Sequence, residues 1–127
     1  MAIELEFNLP HPITDVWQII GDPGRIDWVA GVASCEYDGT VRRFKMDGAG
    51  ELAEQIFELD SEAHTIVYGV IESTPPLASH RASMTLSASP TGTLLTWRTE
   101  VDPAAVEPFI KQGMEASAAK LQKVLAS

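Results

Sequence analysis

The part of the chain from residue 32 to residue 101 constrains the fold most, because short strand-like segments alternate there with turn signals. Asp38-Gly39 separates two of these segments, and an Asp-Gly pair is a strong signal for a two-residue hairpin turn. Connections this short join antiparallel neighbours. This stretch therefore predicts a series of antiparallel hairpins. The other predicted connections lie at 47–50, 60–63, 72–79 and 90–92.

The N-terminal segment adds one more strand and one or two short helices. Ile3, Leu5 and Phe7 alternate with polar residues, which is typical of a half-buried strand. A short helix is expected from Thr14 or Asp15, and Asp22-Pro23-Gly24 should end it. A second short helix or turn is expected at 23–28.

The C-terminal segment predicts one long helix. Asp102 suits the N-cap position and Pro103 the first position of a helix. Apolar residues then recur at helical spacing over about two dozen residues. About seven strands followed by one helix with an apolar stripe suggest a curved sheet wrapped around that helix.

Length and charge restrict the class of protein. The 127 residues correspond to a single domain, 1–127, with a net charge of −9. An acidic chain without a basic face disfavours nucleic acid and anionic lipid as partners. No apolar run approaches the ~18–20 residues of a membrane span, and the first ten residues lack the features of a secretory signal. We therefore expect a cytoplasmic domain without membrane insertion, as a monomer or homodimer.

The titratable residues give no metal or cofactor motif. Cys35 is the single cysteine, which excludes an internal disulfide and a multi-cysteine metal site. His11, His64 and His80 lack metal-ligand spacing, and no glycine-rich phosphate loop is present. The sequence thus predicts neither a metal site nor a cofactor.

Residues spread along most of the chain carry a family resemblance. They are PHPITDVWQIIGD at 10–22, Trp28, VRRF at 41–44, EQIFELD at 54–60, Tyr68, PPL at 75–77 and Trp97. With this order of elements, the chain resembles the START/Bet v 1-like (SRPBCC) superfamily, and within it the polyketide cyclase/dehydrase branch. EQIFELD followed by HTIVYGVIES also resembles the plant abscisic acid receptors.

The resemblance implies an α+β helix-grip fold. In this fold a curved antiparallel sheet of about seven strands wraps around a long C-terminal helix, and two short helices follow the first strand. Sheet and helix enclose a ligand cavity in such proteins. Because the superfamily contains carriers, receptors, cyclases and domains of no known activity, the fold does not determine the function.

Strand alternation combined with the resemblance gives a candidate ligand site. Glu54 matches the glutamate that lines the cavity of the hormone receptors, and on that register Tyr68 also points inward. Met114 and Phe109 would close the pocket from the helix. Apolar walls with a few polar groups are typical of a small-molecule site. The expected ligand-binding residues are Trp28, Arg42, Phe44, Met46, Glu54, Tyr68, His80, Met84, Trp97, Phe109 and Met114.

The polar members of this set permit both a catalytic and a structural interpretation. Glu54 could be a general acid or base on a bound carbonyl compound, and Tyr68 or His80 could donate to a developing enolate. Alternatively, Glu54 pairs with Arg42, and His80 is only a hydrogen-bonded residue at the cavity mouth. The structural interpretation of Trp97, Met84 and Phe109 is that they are plain core and not specific ligand contacts.

Three functions follow from these alternatives. The first is binding of a small hydrophobic ligand, such as a polyketide, phenolic, isoprenoid or lipid-like molecule. The second is a cyclase, dehydratase or isomerase that uses Glu54, and the third is an interaction domain with a filled cavity. The sequence favours ligand binding, because no constellation of its residues requires catalysis.

Overall fold

An antiparallel sheet of seven strands forms the framework of the computed structural model, which describes residues 2–127. The strands are β1 (Ala2–Leu9), β2 (Val32–Tyr37), β3 (Val41–Met46), β4 (Gly50–Asp60), β5 (Thr65–Glu72), β6 (Ser79–Ser89) and β7 (Gly92–Asp102). The helices are α1 (Ile13–Ile20) and α2 (Glu107–Ala126). The strand order is β1-β7-β6-β5-β4-β3-β2, so β1 and β2 form the two edges.

Short aspartate turns set the register of the hairpins. The Asp38 carboxylate accepts hydrogen bonds from the backbone N–H groups of Thr40 and Val41, at 2.9 and 2.8 Å. This arrangement fixes the β2–β3 connection at the predicted Asp-Gly pair. The β3–β4 hairpin that follows places Arg42 directly opposite Glu54. Directly opposed residues share a face of the sheet, so these two side chains meet on the concave side.

The segment between α1 and β2 contains separate turns, so the expected second short helix is wrong. Arg25, Val29 and Val32 each donate a backbone N–H to the residue three positions earlier, at 2.9, 3.0 and 3.3 Å. These bonds do not continue into a helical ladder. The segment instead buries both Ile26 and Trp28, which lie two residues apart and would point to opposite sides of a helix.

The C-terminal helix begins later than Asp102 and Pro103 suggest. Strand pairing with β6 continues to Asp102, whose carbonyl accepts the Ala78 N–H at 2.9 Å. A 3₁₀ turn at Ala104–Val106 follows, and α2 has 20 residues. Pro108, the second residue of α2, is the better signal for its start, because proline is favoured in the first turn.

The core lies between the concave face of the sheet, α1 and the middle of α2. Helix α2 is buried at Met114, Ser117, Ala118 and Leu121, a spacing that gives a single stripe. The Ser117 hydroxyl accepts the Ala30 N–H at 3.1 Å and so ties α2 to the turns after α1. Among the described residues, no helix is long and apolar enough to cross a membrane.

Candidate functional site

A buried ion pair lies on the concave face of the sheet. Arg42 Nε donates to Glu54 Oε1 at 2.8 Å, and the two side chains are 5% and 12% exposed. Arg42 Nη1 also donates to the Pro23 carbonyl at 3.2 Å, so the turns after α1 cover the guanidinium. The alternative in which Glu54 pairs with Arg42 is confirmed. Both charges are therefore engaged with protein groups before any ligand is considered.

Tyr68 extends the ion pair into a larger polar cluster. The Arg42 guanidinium lies 4.8 Å from the centre of the Tyr68 ring, a cation–π distance. The Tyr68 hydroxyl accepts a hydrogen bond from Trp97 Nε1 at 3.1 Å. Burial first, and then the nearby Glu54 charge, raise the pKa of Tyr68 well above its ordinary value. Arg42, Glu54, Tyr68 and Trp97 are called the polar cluster below.

His80 makes a hydrogen bond to the backbone of the neighbouring strand. Its Nδ1 accepts the Val70 N–H at 3.1 Å. The backbone pairing of β5 with β6 ends at Tyr68 and Ala82. Beyond this point the His80 imidazole, in place of a β6 carbonyl, accepts the Val70 N–H. Burial lowers the pKa of His80 below 6.5, and the Glu54 charge opposes this less strongly. The ring is therefore mainly neutral at pH 7, with its proton on Nε2.

Aromatic and thioether side chains surround the polar cluster. The Trp28 and Trp97 rings lie 5.7 Å apart between centres. Met114 of α2 accepts a hydrogen bond from Thr99 Oγ1 at 3.5 Å, which fixes the helix against β7. Met84 and Tyr68 belong to the same core cluster. Five of the predicted residues thus pack together: Trp28, Tyr68, Met84, Trp97 and Met114.

Three predicted ligand-binding residues lie elsewhere. Phe44 and Met46 belong to a second apolar cluster, around Ile26 and Val32. Phe109 is 55% exposed, so the expectation that it closes the pocket is wrong. It precedes Met114 by five residues, which is about 140° around the helix. Ile110, four residues before Met114, faces the core in its place.

Two surface pockets flank this interior. One, of about 260 Å³, is lined by Val70, Ile71, Glu72, Ser73, Pro76 and Leu77. It adjoins the site through Val70, whose N–H is bound by His80. The other, of about 530 Å³, is an open groove beside the edge strand β2, lined in part by Asp22, Arg25 and Cys35. Burial raises the pKa of the Cys35 thiol, which disfavours its nucleophilic form.

Two backbone groups in the site are missed by the sequence analysis, the Pro23 carbonyl and the Val70 N–H. Backbone donors and acceptors have no residue signature, so no pattern in the sequence points to them. The inward direction of Val70 does follow from the alternation of β5. Among residues 2–127, no group of three or more His, Cys, Asp or Glu could hold a metal ion.

Comparison with family models identifies the chain. Residues 2–126 match the family described as polyketide cyclase / dehydrase and lipid transport. The chain belongs to this family, as its resemblance implies. A search of curated proteins finds no significant match.

Solved structures show the same fold over nearly the whole chain. A Bacillus thuringiensis protein of uncharacterized function has a TM-score of 0.88 at 17% identity, with 100% of each chain covered. XoxI from Bacillus cereus has a TM-score of 0.84 at 17% identity, covering 100% of this chain and 95% of that one. Ara h 8.0201 has a TM-score of 0.80 at 17% identity, covering 99% and 97%. The helix-grip fold is confirmed.

Proposed function

We propose that this protein binds a small hydrophobic molecule between the concave face of the sheet and α2. The observation that carries the proposal is the combination of an apolar interior with one connected polar cluster inside it. Trp28, Met84 and Met114 supply the apolar walls. Such walls with a few convergent polar groups are typical of ligand sites. The family, which includes lipid transport proteins, supports the same function.

The pocket beside Val70 is the proposed entrance. It lies between the end of β5 and the loop that contains Pro76, next to His80. Its volume of about 260 Å³ is just below the range of about 300–1,000 Å³ usual for ligand pockets. A bound molecule would therefore extend inward by moving side chains. Met84 and Met114 suit this role, because methionine is unbranched and adapts its shape readily.

Binding without chemistry is favoured over the cyclase alternative by the hydrogen bonds of the candidate catalytic groups. Glu54 Oε1 is bound by Arg42, and His80 Nδ1 by the Val70 N–H. A general base needs a free lone pair within reach of the proton that it removes, and the Nδ1 lone pair of His80 is occupied. Tyr68 stays protonated because its pKa is raised. Tyr68 and His80 therefore serve better to position a ligand than to remove a proton, and Glu54 is engaged as the ion-pair partner of Arg42.

A thermal-shift titration with three probes tests the proposal. The probes are 2-acetylnaphthalene, 2-naphthol and decanoic acid, each with an apolar body and a different polar group. A ligand at 100 times its Kd stabilises the native state by about 2.7 kcal/mol, so at least one probe should raise Tm by several degrees. The recovered probe should be unchanged, whereas a converted probe would show the enzymatic alternative.

Two matched substitutions locate the site. Val70→Trp should fill the proposed entrance and abolish the Tm shift. Ala33→Trp places the same side chain in the groove beside β2 and should leave the shift intact. The opposite pattern, or no shift with any probe for the unsubstituted protein, would contradict the proposal. The absence of any shift would favour the interaction-domain alternative.

A further inference from the structure

The Tyr68 hydroxyl has an unusual hydrogen-bond environment. It accepts from Trp97 Nε1, a group that can only donate. Within residues 2–127, this is the one hydrogen bond that the hydroxyl makes to protein. Its own hydrogen therefore has no protein acceptor, although Tyr68 is 7% exposed. A buried donor without an acceptor is unfavourable, so this hydrogen is available to a bound molecule.

The sheet holds this hydroxyl in a defined place. Tyr68 lies on β5 and Trp97 on β7, so the phenol ring must cross β6 to make its hydrogen bond. Ala82 is the β6 residue directly opposite Tyr68, and its small side chain leaves room for the ring. The Arg42 guanidinium lies over the ring 4.8 Å from its centre. With its ring packed and its oxygen bound, Tyr68 presents a preorganised donor.

The charges around Tyr68 favour a neutral ligand. The Arg42 guanidinium, the nearest cation, already donates to Glu54 and to the Pro23 carbonyl. Glu54 carries a negative charge close to the Tyr68 hydroxyl and would repel an anion. His80 accepts at Nδ1 and is mainly neutral at pH 7. A carboxylate or phosphate would thus find no unpaired cation in this part of the site.

We propose that Tyr68 selects, among small hydrophobic molecules, those that carry a neutral hydrogen-bond acceptor such as a ketone carbonyl. This inference rests on the proposed function, because it assumes that a ligand enters the interior. The ligand oxygen would accept the free Tyr68 hydrogen while Trp97 continues to donate to the phenol oxygen. An analogue without the acceptor would leave the Tyr68 hydrogen unpaired and bind less well.

A pair of probes of nearly equal shape tests this assignment. 2-Acetylnaphthalene and 2-ethylnaphthalene differ by a carbonyl in place of a methylene group. Their Kd values are measured for the unsubstituted protein, for Tyr68→Phe and for the control Tyr37→Phe. Tyr37 is the other tyrosine of the chain and lies on the edge strand β2. The ratio of the two Kd values within one variant cancels any general loss of stability.

Loss of one hydrogen bond corresponds to about a fivefold change in affinity. Tyr68→Phe should therefore weaken ketone binding about fivefold relative to the hydrocarbon, and Tyr37→Phe should not change the ratio. An unchanged ratio in Tyr68→Phe would overturn the role of Tyr68 and leave the proposed function intact. If neither naphthalene binds the unsubstituted protein, the role of Tyr68 is overturned, whereas the proposed function is overturned only if 2-naphthol and decanoic acid also fail to bind.

Infrared spectroscopy provides a second readout that does not need the variant to fold. The carbonyl stretch of 2-acetylnaphthalene bound to the unsubstituted protein should lie at lower wavenumber than in hexane, because a hydrogen bond weakens the C=O bond. A bound ketone with an unshifted stretch would overturn the inference while showing that the ligand binds.

Discussion

Removal of one partner of the buried ion pair should destabilise the protein strongly. Glu54→Leu leaves the Arg42 guanidinium, on a side chain that is 5% exposed, with the Pro23 carbonyl as its remaining hydrogen-bond partner. Breaking a buried pair in this way typically costs about 3–5 kcal/mol. The Glu54 side chain is 12% exposed, so water can partly solvate the guanidinium. We therefore expect a loss of stability at the lower end of this range, about 3 kcal/mol.

The double substitution Arg42→Met, Glu54→Leu should recover most of this loss. Apolar side chains of similar volume remove the need to desolvate either charge. We expect the free energy of unfolding of the double variant to lie within about 1 kcal/mol of that of the unsubstituted protein. Glu54→Leu alone should lower this free energy by about 3 kcal/mol. For a chain of 127 residues that loss corresponds to a decrease in Tm of roughly 10 °C.

Urea unfolding followed by tryptophan fluorescence measures these free energies. Glu72→Leu is the matched control, because the Arg43–Glu72 pair spans a similar distance, 2.7 Å, but is 56% and 61% exposed. Exposed ion pairs contribute little to the free energy of unfolding, so Glu72→Leu should leave the urea midpoint of unfolding nearly unchanged. The reasoning would be refuted if Glu54→Leu and Glu72→Leu had equal effects, or if the double variant were less stable than Glu54→Leu.

The remaining predictions concern His80 and two glycines. Because the pKa of His80 is lowered in the folded state, the unfolded chain binds more protons and stability should fall as pH drops below 6.5. His80→Gln should show a smaller fall between pH 7 and 5 in thermal unfolding, and an equal fall would contradict the assignment. Gly69→Ala should destabilise by about 1–3 kcal/mol in urea unfolding, since its Cβ would overlap the backbone carbonyl oxygen of His80. Gly113→Ala, whose Cβ meets no atom within 4 Å, should stabilise α2 by about 1 kcal/mol in the same assay. The geometry would be contradicted if Gly69→Ala stabilised the protein and Gly113→Ala destabilised it.

Local patterns predict the strands well because each strand has its own signal. Alternation identifies one face of β1, and the Asp-Gly pair fixes the β2–β3 turn through the Asp38 carboxylate. Once the hairpins are known, their registers follow within a residue or two. The pairing of Arg42 with Glu54 could therefore be proposed in advance, since both residues face the same side of adjacent strands.

The errors arise where tertiary contacts decide the local structure. The segment after α1 lacks the second helix because Ile26 and Trp28 are each buried against different parts of the core. The favourable capping residue Asp102 remains in β7 because pairing with β6 satisfies its backbone. Phe109 fits a loose apolar stripe, but only the positions in phase with Met114 face the sheet.

The most direct test of ligand binding between the sheet and α2 uses the methionine methyl groups as reporters. With methyl-labelled methionine, nuclear Overhauser effects are measured from 2-acetylnaphthalene protons to the protein. The proposed function predicts contacts to the methyl groups of Met84 and Met114, which lie in the core beside the polar cluster. It predicts none to Met46, which lies in the second apolar cluster. Contacts to Met46 without Met84 and Met114, or binding without contact to any of the three, would contradict it.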